Sequence, residues 1–154
     1  MIPPAATGTT IDHQTFTIAF ERTFAAPPED VFDAWTQPAH LTRWWDPTGT
    51  PLASCRVDLR PGGAFEFVNQ GSAHSPPFAG TYRVVERPAR LEFDALGAAG
   101  TVSLSARDGA THMRVTIRCA SAEHLAQFLQ HGVDVGTAQT LDNLVAHLRA
   151  ARAA

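Results

Sequence analysis

Residues 111–150 read THMRVTIRCASAEHLAQFLQHGVDVGTAQTLDNLVAHLRA, and the hydrophobic period changes inside them. Before Cys119, Met113, Val115 and Ile117 alternate with polar neighbours, the period-2 pattern of a strand with one buried face. After Ser121, a good N-cap residue, apolar positions recur at helical spacing: Leu125, Phe128 and Leu129, then Leu141, Leu144, Val145 and Leu148. The second set is an i, i+3, i+4, i+7 stripe that something must bury. Gly132 and Gly136 interrupt the middle, and glycine costs roughly 1 kcal/mol against alanine in a helix interior, so a short helix feeding a longer one is predicted.

Upstream of this switch the chain reads as strands. TVSLSAR pairs with THMRVTIRC around Asp108 and Gly109, while FAGTYRVVE and RLEFDAL form another antiparallel pair joined at RPA. ASCRVDL turns at RPGG into AFEFVN, with Phe65 and Phe67 on one face, and NQGSAHSPP is a longer loop. These six strands form a meander, and a twisted sheet of that length curls around the only element able to cover it, the terminal helix.

The first strand lies further back, in TFTIAFERTF, with Phe16, Ile18, Phe20 and Phe24 at even spacing. AAPPEDVFDAW then places Pro27 and Pro28 at a helix start and Glu29 and Asp30 in its first turn. Pro38 interrupts that helix, and PAHLTRWW makes a second short one before the loop DPTGTP. The predicted fold class is α+β: a curved antiparallel sheet of about seven strands around a long C-terminal helix, with two short helices after the first strand. Residues 1–14 are expected to be a flexible segment, and residues 15–152 one domain.

Composition narrows the function classes. The 154 residues carry a net charge of −3 with scattered basic residues, which gives no footprint for nucleic acid or an acidic membrane. All 12 basic residues are arginine, so lysine Schiff bases, lysine nucleophiles and P-loop lysines are excluded. Two cysteines, Cys55 and Cys119, are too few for a disulfide framework and fall on apolar strand faces, as buried inert thiols would. With no basic-then-apolar leader and no apolar run of membrane length, a cytoplasmic location is expected.

The order AAPPEDVFDAWTQPAHLTRWW, then VDLRPGGAFEF, then GTAQTLDNLVAHLRA resembles the START-like superfamily, also called SRPBCC. Within it, the chain is most similar to proteins related to the C-terminal domain of the heat-shock protein 90 ATPase activator, from about Phe16 to Arg149. The resemblance implies a helix-grip fold, in which a seven-stranded sheet wraps a terminal helix and leaves a cavity between them. Relatives often carry Gly-Trp before the long helix, where this chain has Gly132 and Val133, a smaller side chain at the cavity mouth. The resemblance carries no catalytic residue set, and the superfamily includes binding proteins, cyclases and chaperone helpers.

Searching for chemistry gives a short result. The seven histidines do not fall at metal-ligand spacing: His124 and His131 lie seven apart with no third ligand, and His13, His40, His74 and His112 lie on loops or outward positions. No metal and no cofactor is expected. No Gly-x-Ser-x-Gly elbow is present, and Glu92 and Asp94 share a solvated strand face, so no catalytic residues are assigned. Tyr82, His112 and Arg114 are polar candidates only if they point inward, which alternation with Met113 argues against for the last two.

The aromatic residues are either plain core or the wall of a pocket. Where the helical stripe should carry bulk it has Gly132, Gly136 and Thr137; Gly132 is a helix C-cap or pocket wall, and Gly136 marks close backbone approach or open space. The candidate ligand-binding set is Trp35, Trp45, Phe65, Phe67, Phe78, Tyr82, Phe93, Phe128, Leu129, Val133, Gly136 and Thr137. The expected function is binding of a small, mostly apolar molecule between helix and sheet, by a monomer or homodimer. The alternatives are a cyclase- or aromatase-like enzyme with a buried polar group, and a chaperone-cofactor-like protein binder.

Overall fold

A computed structural model describes residues 8–70 and 77–153. Eight antiparallel strands form one curved sheet in the order β1-β2-β8-β7-β6-β5-β4-β3. They are β1 (Thr9–Asp12), β2 (Thr17–Phe24), β3 (Ser54–Val57), β4 (Ala64–Val68), β5 (Phe78–Glu86), β6 (Arg90–Ala95), β7 (Ala98–Arg107) and β8 (Ala110–Arg118). Helices α1 (Pro28–Thr36) and α2 (Pro38–Trp44) separate β2 from β3, and α3 (Ala122–Gln130) and α4 (Val133–Ala153) follow β8. The helix-grip α+β class is therefore the observed one. No helix among the described residues is long and apolar enough to cross a membrane.

Local chemistry sets the boundaries. Pro28 opens α1 and Pro38 opens α2, each where a missing N–H costs nothing. The Ser121 hydroxyl accepts from the His124 amide at 3.1 Å and caps α3. At the other end Gly132, next after the C-cap His131, adopts φ +73° and donates to the Leu129 carbonyl, the left-handed residue that stops α3. His74, read as a loop residue, lies outside the described residues.

One further strand lies at the amino end. Within the segment 1–14 that was expected to be flexible, Thr9–Asp12 pairs with β2 through Thr9↔Phe20 to Asp12↔Thr17, an eighth strand beside the about seven expected. The four residues TTID are too short and too polar to announce a strand by alternation. Residues 1–7 lie outside the described residues.

The inner face of β2 carries Ile18, Phe20 and Phe24, all buried, and they meet Leu41, Trp44, Met113, Leu141 and Leu144 in one core. Between them Arg22 also points inward, opposite Met113. Its Nε donates to Asp142 at 3.0 Å and its Nη2 to the Ala138 carbonyl at 3.3 Å, fastening α4 to the sheet. Leu141, Leu144 and Leu148 bury the C-terminal half of the α4 stripe against this core.

Candidate functional site

The space under the helices divides into a filled part and an open one. In the filled part Phe65 is the hub, with ring centroids 5.3 Å from Phe67, 5.7 Å from Phe78, 5.0 Å from Tyr82 and 5.6 Å from Phe93. Trp45, the residue that caps the end of α2, closes it, 4.9 Å from Phe67 and 5.1 Å from Phe78. The gap left between these rings is about 10 Å³, too little for more than a single water. Gly80 makes the block possible, since a Cβ there would meet the Phe65 ring at 2.6 Å.

Beside the block lies a cavity of about 310 Å³, at the lower end of the roughly 300–1,000 Å³ found for small-molecule sites. The sheet supplies Phe78, Phe93, Ala95, Ala98, Gly100, Val115 and Ile117; the first two helices and the loop after them supply Trp35, Trp45 and Pro47. Phe128 from α3 and Val133, Gly136, Thr137, Thr140 and Leu141 from α4 form the opposite wall, and Leu96 and Asn69 complete it. A Cβ built on Gly136 meets nothing within 4 Å, so this glycine borders open space and is not a point of close backbone approach. Gly100 does serve close approach: the Phe93 ring lies 2.4 Å from where its Cβ would be.

Of the predicted ligand-binding residues, Trp35, Trp45, Phe78, Phe93, Phe128, Val133, Gly136 and Thr137 line this cavity. Phe65, Phe67 and Tyr82 instead belong to the filled block, and Leu129 packs half-buried on the core. Period-2 alternation gives the face of a strand but not the distance along it, so Phe65 and Phe67 could not be separated from Phe93 by sequence. The small residues Ala95, Ala98 and Gly100 were missed because Ala95 has no bulk to mark it within the strand RLEFDAL and GAAG falls between the two predicted strands; only their spacing across a hairpin could have marked them as cavity floor. Asn69, Thr140 and Leu141 were missed as lining residues too.

The lining carries polar side chains only in Asn69, Thr137 and Thr140, and none of the described lining side chains titrates near neutral pH. Thr140 donates to the Trp45 carbonyl at 3.1 Å, and the Asn69 amide donates to Asp46 Oδ2 at 2.7 Å. Asp46 is buried just behind the wall; burial pushes its carboxyl up, but hydrogen bonds from Thr48 and Asn69 outweigh this and hold it below the usual range. Asn143 of α4 donates to the Asp46 carbonyl at 3.0 Å, so this network ties the end of α2 to α4 at the cavity edge.

The other polar candidates lie elsewhere. Tyr82 is buried in the aromatic block, and burial, with Cys55 nearby, pushes its phenol up, keeping it neutral. Burial also pushes the Cys55 thiol up to about 11 and raises Cys119, so both stay protonated. His112 pairs with Glu21 at 2.9 Å, and Arg83 bridges Glu92 and Asp94 at 3.5 and 3.0 Å, all away from the cavity. His40 is on α2, in the stretch PAHLTRWW read as a short helix and not on a loop or strand, and hydrogen-bonds His147 of α4 at 2.8 Å. Among the described residues no three His, Cys, Asp or Glu side chains gather as a metal site would require.

Comparison with known proteins agrees with this architecture. A family profile described as activator of Hsp90 ATPase homolog 1-like protein matches residues 25–149. Among solved structures, the Mycobacterium smegmatis protein Ms6760 is 25% identical with a TM-score of 0.78, covering 94% of this chain and 98% of its own. An AHSA1-like protein from Aeromonas hydrophila is 27% identical, TM-score 0.74, over 88% of this chain and 93% of its own. NE0264 from Nitrosomonas europaea, 23% identical with a TM-score of 0.82 over 94% of this chain and all of its own, shares the fold. None of the curated proteins matches.

Proposed function

The chain belongs to the family of activator of Hsp90 ATPase homolog 1-like proteins, and on that premise we propose that it binds a small, mostly apolar, uncharged molecule in the cavity between α4 and the sheet. The family fold is in general terms a ligand-binding one. The observation that carries the specific reading is Gly136, a helical glycine whose missing side chain leaves open a space walled by Trp45, Phe93, Phe128 and Ile117. A plain core would fill that space, because interiors close-pack and empty volume costs stability.

The chemistry of the wall defines the occupant. Without an ionisable side chain in the lining, a charged ligand would lose its hydration with no partner to replace it, so a neutral molecule is favoured. The hydroxyls of Thr137 and Thr140 and the amide of Asn69 offer hydrogen bonds to one or two polar groups at the edge. Acid–base catalysis would need a titrating group within reach of the ligand, and the described lining offers none.

The test is a thermal-shift screen of neutral apolar compounds on the wild-type chain and on Gly136→Leu. Compounds that raise the wild-type melting temperature should leave Gly136→Leu unmoved, because the new side chain occupies the cavity. Equal shifts in both proteins, or none in the wild type, would overturn the reading.

A further inference from the structure

In the turn between β6 and β7 a side chain that lines the cavity is also largely exposed to solvent, and it is out of place by two criteria. Leu96 adopts φ +55°, in the left-handed region that disfavours a branched apolar residue, and it is 61% exposed although it lines the cavity. With Gly97 at φ +77° the turn has both central residues at positive φ, a pattern that Asn-Gly or Asp-Gly satisfies without strain. A leucine there serves neither the turn nor burial, and strain of this kind gathers where a side chain is needed for another purpose.

The turn is also fastened to the opposite wall. His124, in the first turn of α3, accepts the Ala120 amide at Nδ1, 3.0 Å, which leaves the proton on Nε2 to donate to the Leu96 carbonyl at 3.2 Å. The same imidazole packs edge-on against Phe128, centroids 4.5 Å apart, and lies over Gly97, whose added Cβ would meet its ring at 3.5 Å. One histidine thus joins a lining residue of the sheet to a lining residue of the helices.

We propose that Leu96 is the access residue of the cavity, a side chain that a neutral apolar ligand must displace on the way in and out, and that His124 is the latch holding it over the opening. This rests on the binding function proposed above. An access residue sets the height of the barrier in both directions and leaves the equilibrium nearly untouched, whereas a contact residue changes dissociation alone.

The distinguishing measurement is stopped-flow fluorescence with N-phenyl-1-naphthylamine, a neutral apolar fluorophore. Leu96→Asn keeps a residue that tolerates positive φ, so the hairpin stays formed while the apolar side chain is removed. Association and dissociation rate constants should both rise, roughly five-fold or more, the rise in association being the mark of a barrier removed. His124→Asn retains an acceptor for Ala120 but cannot reach the turn and should behave likewise, while His124→Gln reaches the Leu96 carbonyl and should restore the wild-type rates. Unchanged rates in Leu96→Asn, or a rise in dissociation alone, would overturn the gate while leaving the binding site intact. Failure of the wild-type chain to bind the fluorophore would overturn the site and the gate together.

Discussion

The two halves of α4 face the same sheet and do opposite things. From Leu141 to Leu148 the buried leucines complete the core, and the helix is fixed further by the His40–His147 pair. From Val133 to Thr140 the helix presents Val133, Gly136, Thr137 and Thr140 to open volume, and it is held by its backbone and edges instead: Arg22 to the Ala138 carbonyl, Thr140 to Trp45. One element can serve as both core and cavity wall because anchoring and lining are separated along its length. The C-terminal half supplies the apolar burial that holds the N-terminal half over an empty space.

That contrast can be broken most forcefully at Leu144, which is wholly buried. Leu144→Ala should cost about 2–5 kcal/mol, the range for a buried leucine whose surroundings relax only partly, measured by urea denaturation. At Gly136 the sign reverses: Gly136→Ala removes helix-interior glycine with open space for the methyl, and should stabilise by about 0.5–1 kcal/mol in the same assay. A loss of stability at Gly136 would mean that the N-terminal half is packed like the other and the contrast is false.

The smallest effect sits at the His40–His147 contact. Burial first, then the neighbouring His40 and Arg43 of α2, hold His147 below its ordinary value of 6.5. The unfolded chain therefore binds more protons than the folded one between that lowered value and 6.5, so stability falls as pH drops through 6.5 and levels off below the folded value. His147→Gln should flatten this part of the profile, read as the urea midpoint between pH 7.5 and 5; an unaltered slope would remove His147 as its cause.

Most of the fold was legible because it rests on periodicity. The switch after Ser121, the β7–β8 hairpin and the Leu141–Leu148 stripe all follow from spacing, and the prolines marked both short helices. What periodicity cannot carry stayed hidden. Arg22 stands at an inward position of β2, and a charge among phenylalanines signals nothing until Asp142 and the Ala138 carbonyl are seen beside it. The cavity was half legible: Gly136 and Thr137 announced missing bulk on the helix, but the matching absence on the sheet, at Ala95, Ala98 and Gly100, is a sum over three strand positions brought together only by pairing. Sequence gave the aromatics without saying which of them pack on one another and which face emptiness.

The tryptophans hold one more consequence. All three in the chain are neighbours, with ring centroids 5.0 Å between Trp35 and Trp44, 5.6 Å between Trp44 and Trp45, and 6.3 Å between Trp35 and Trp45. At such separations the indoles exchange excitation and behave as one coupled chromophore, so the intrinsic emission of the protein comes from a single place. Two of the three border the cavity. The molecule carries its own optical reporter at the site: an occupant that quenches or shifts Trp45 would alter the whole ultraviolet emission, with no background from tryptophans elsewhere.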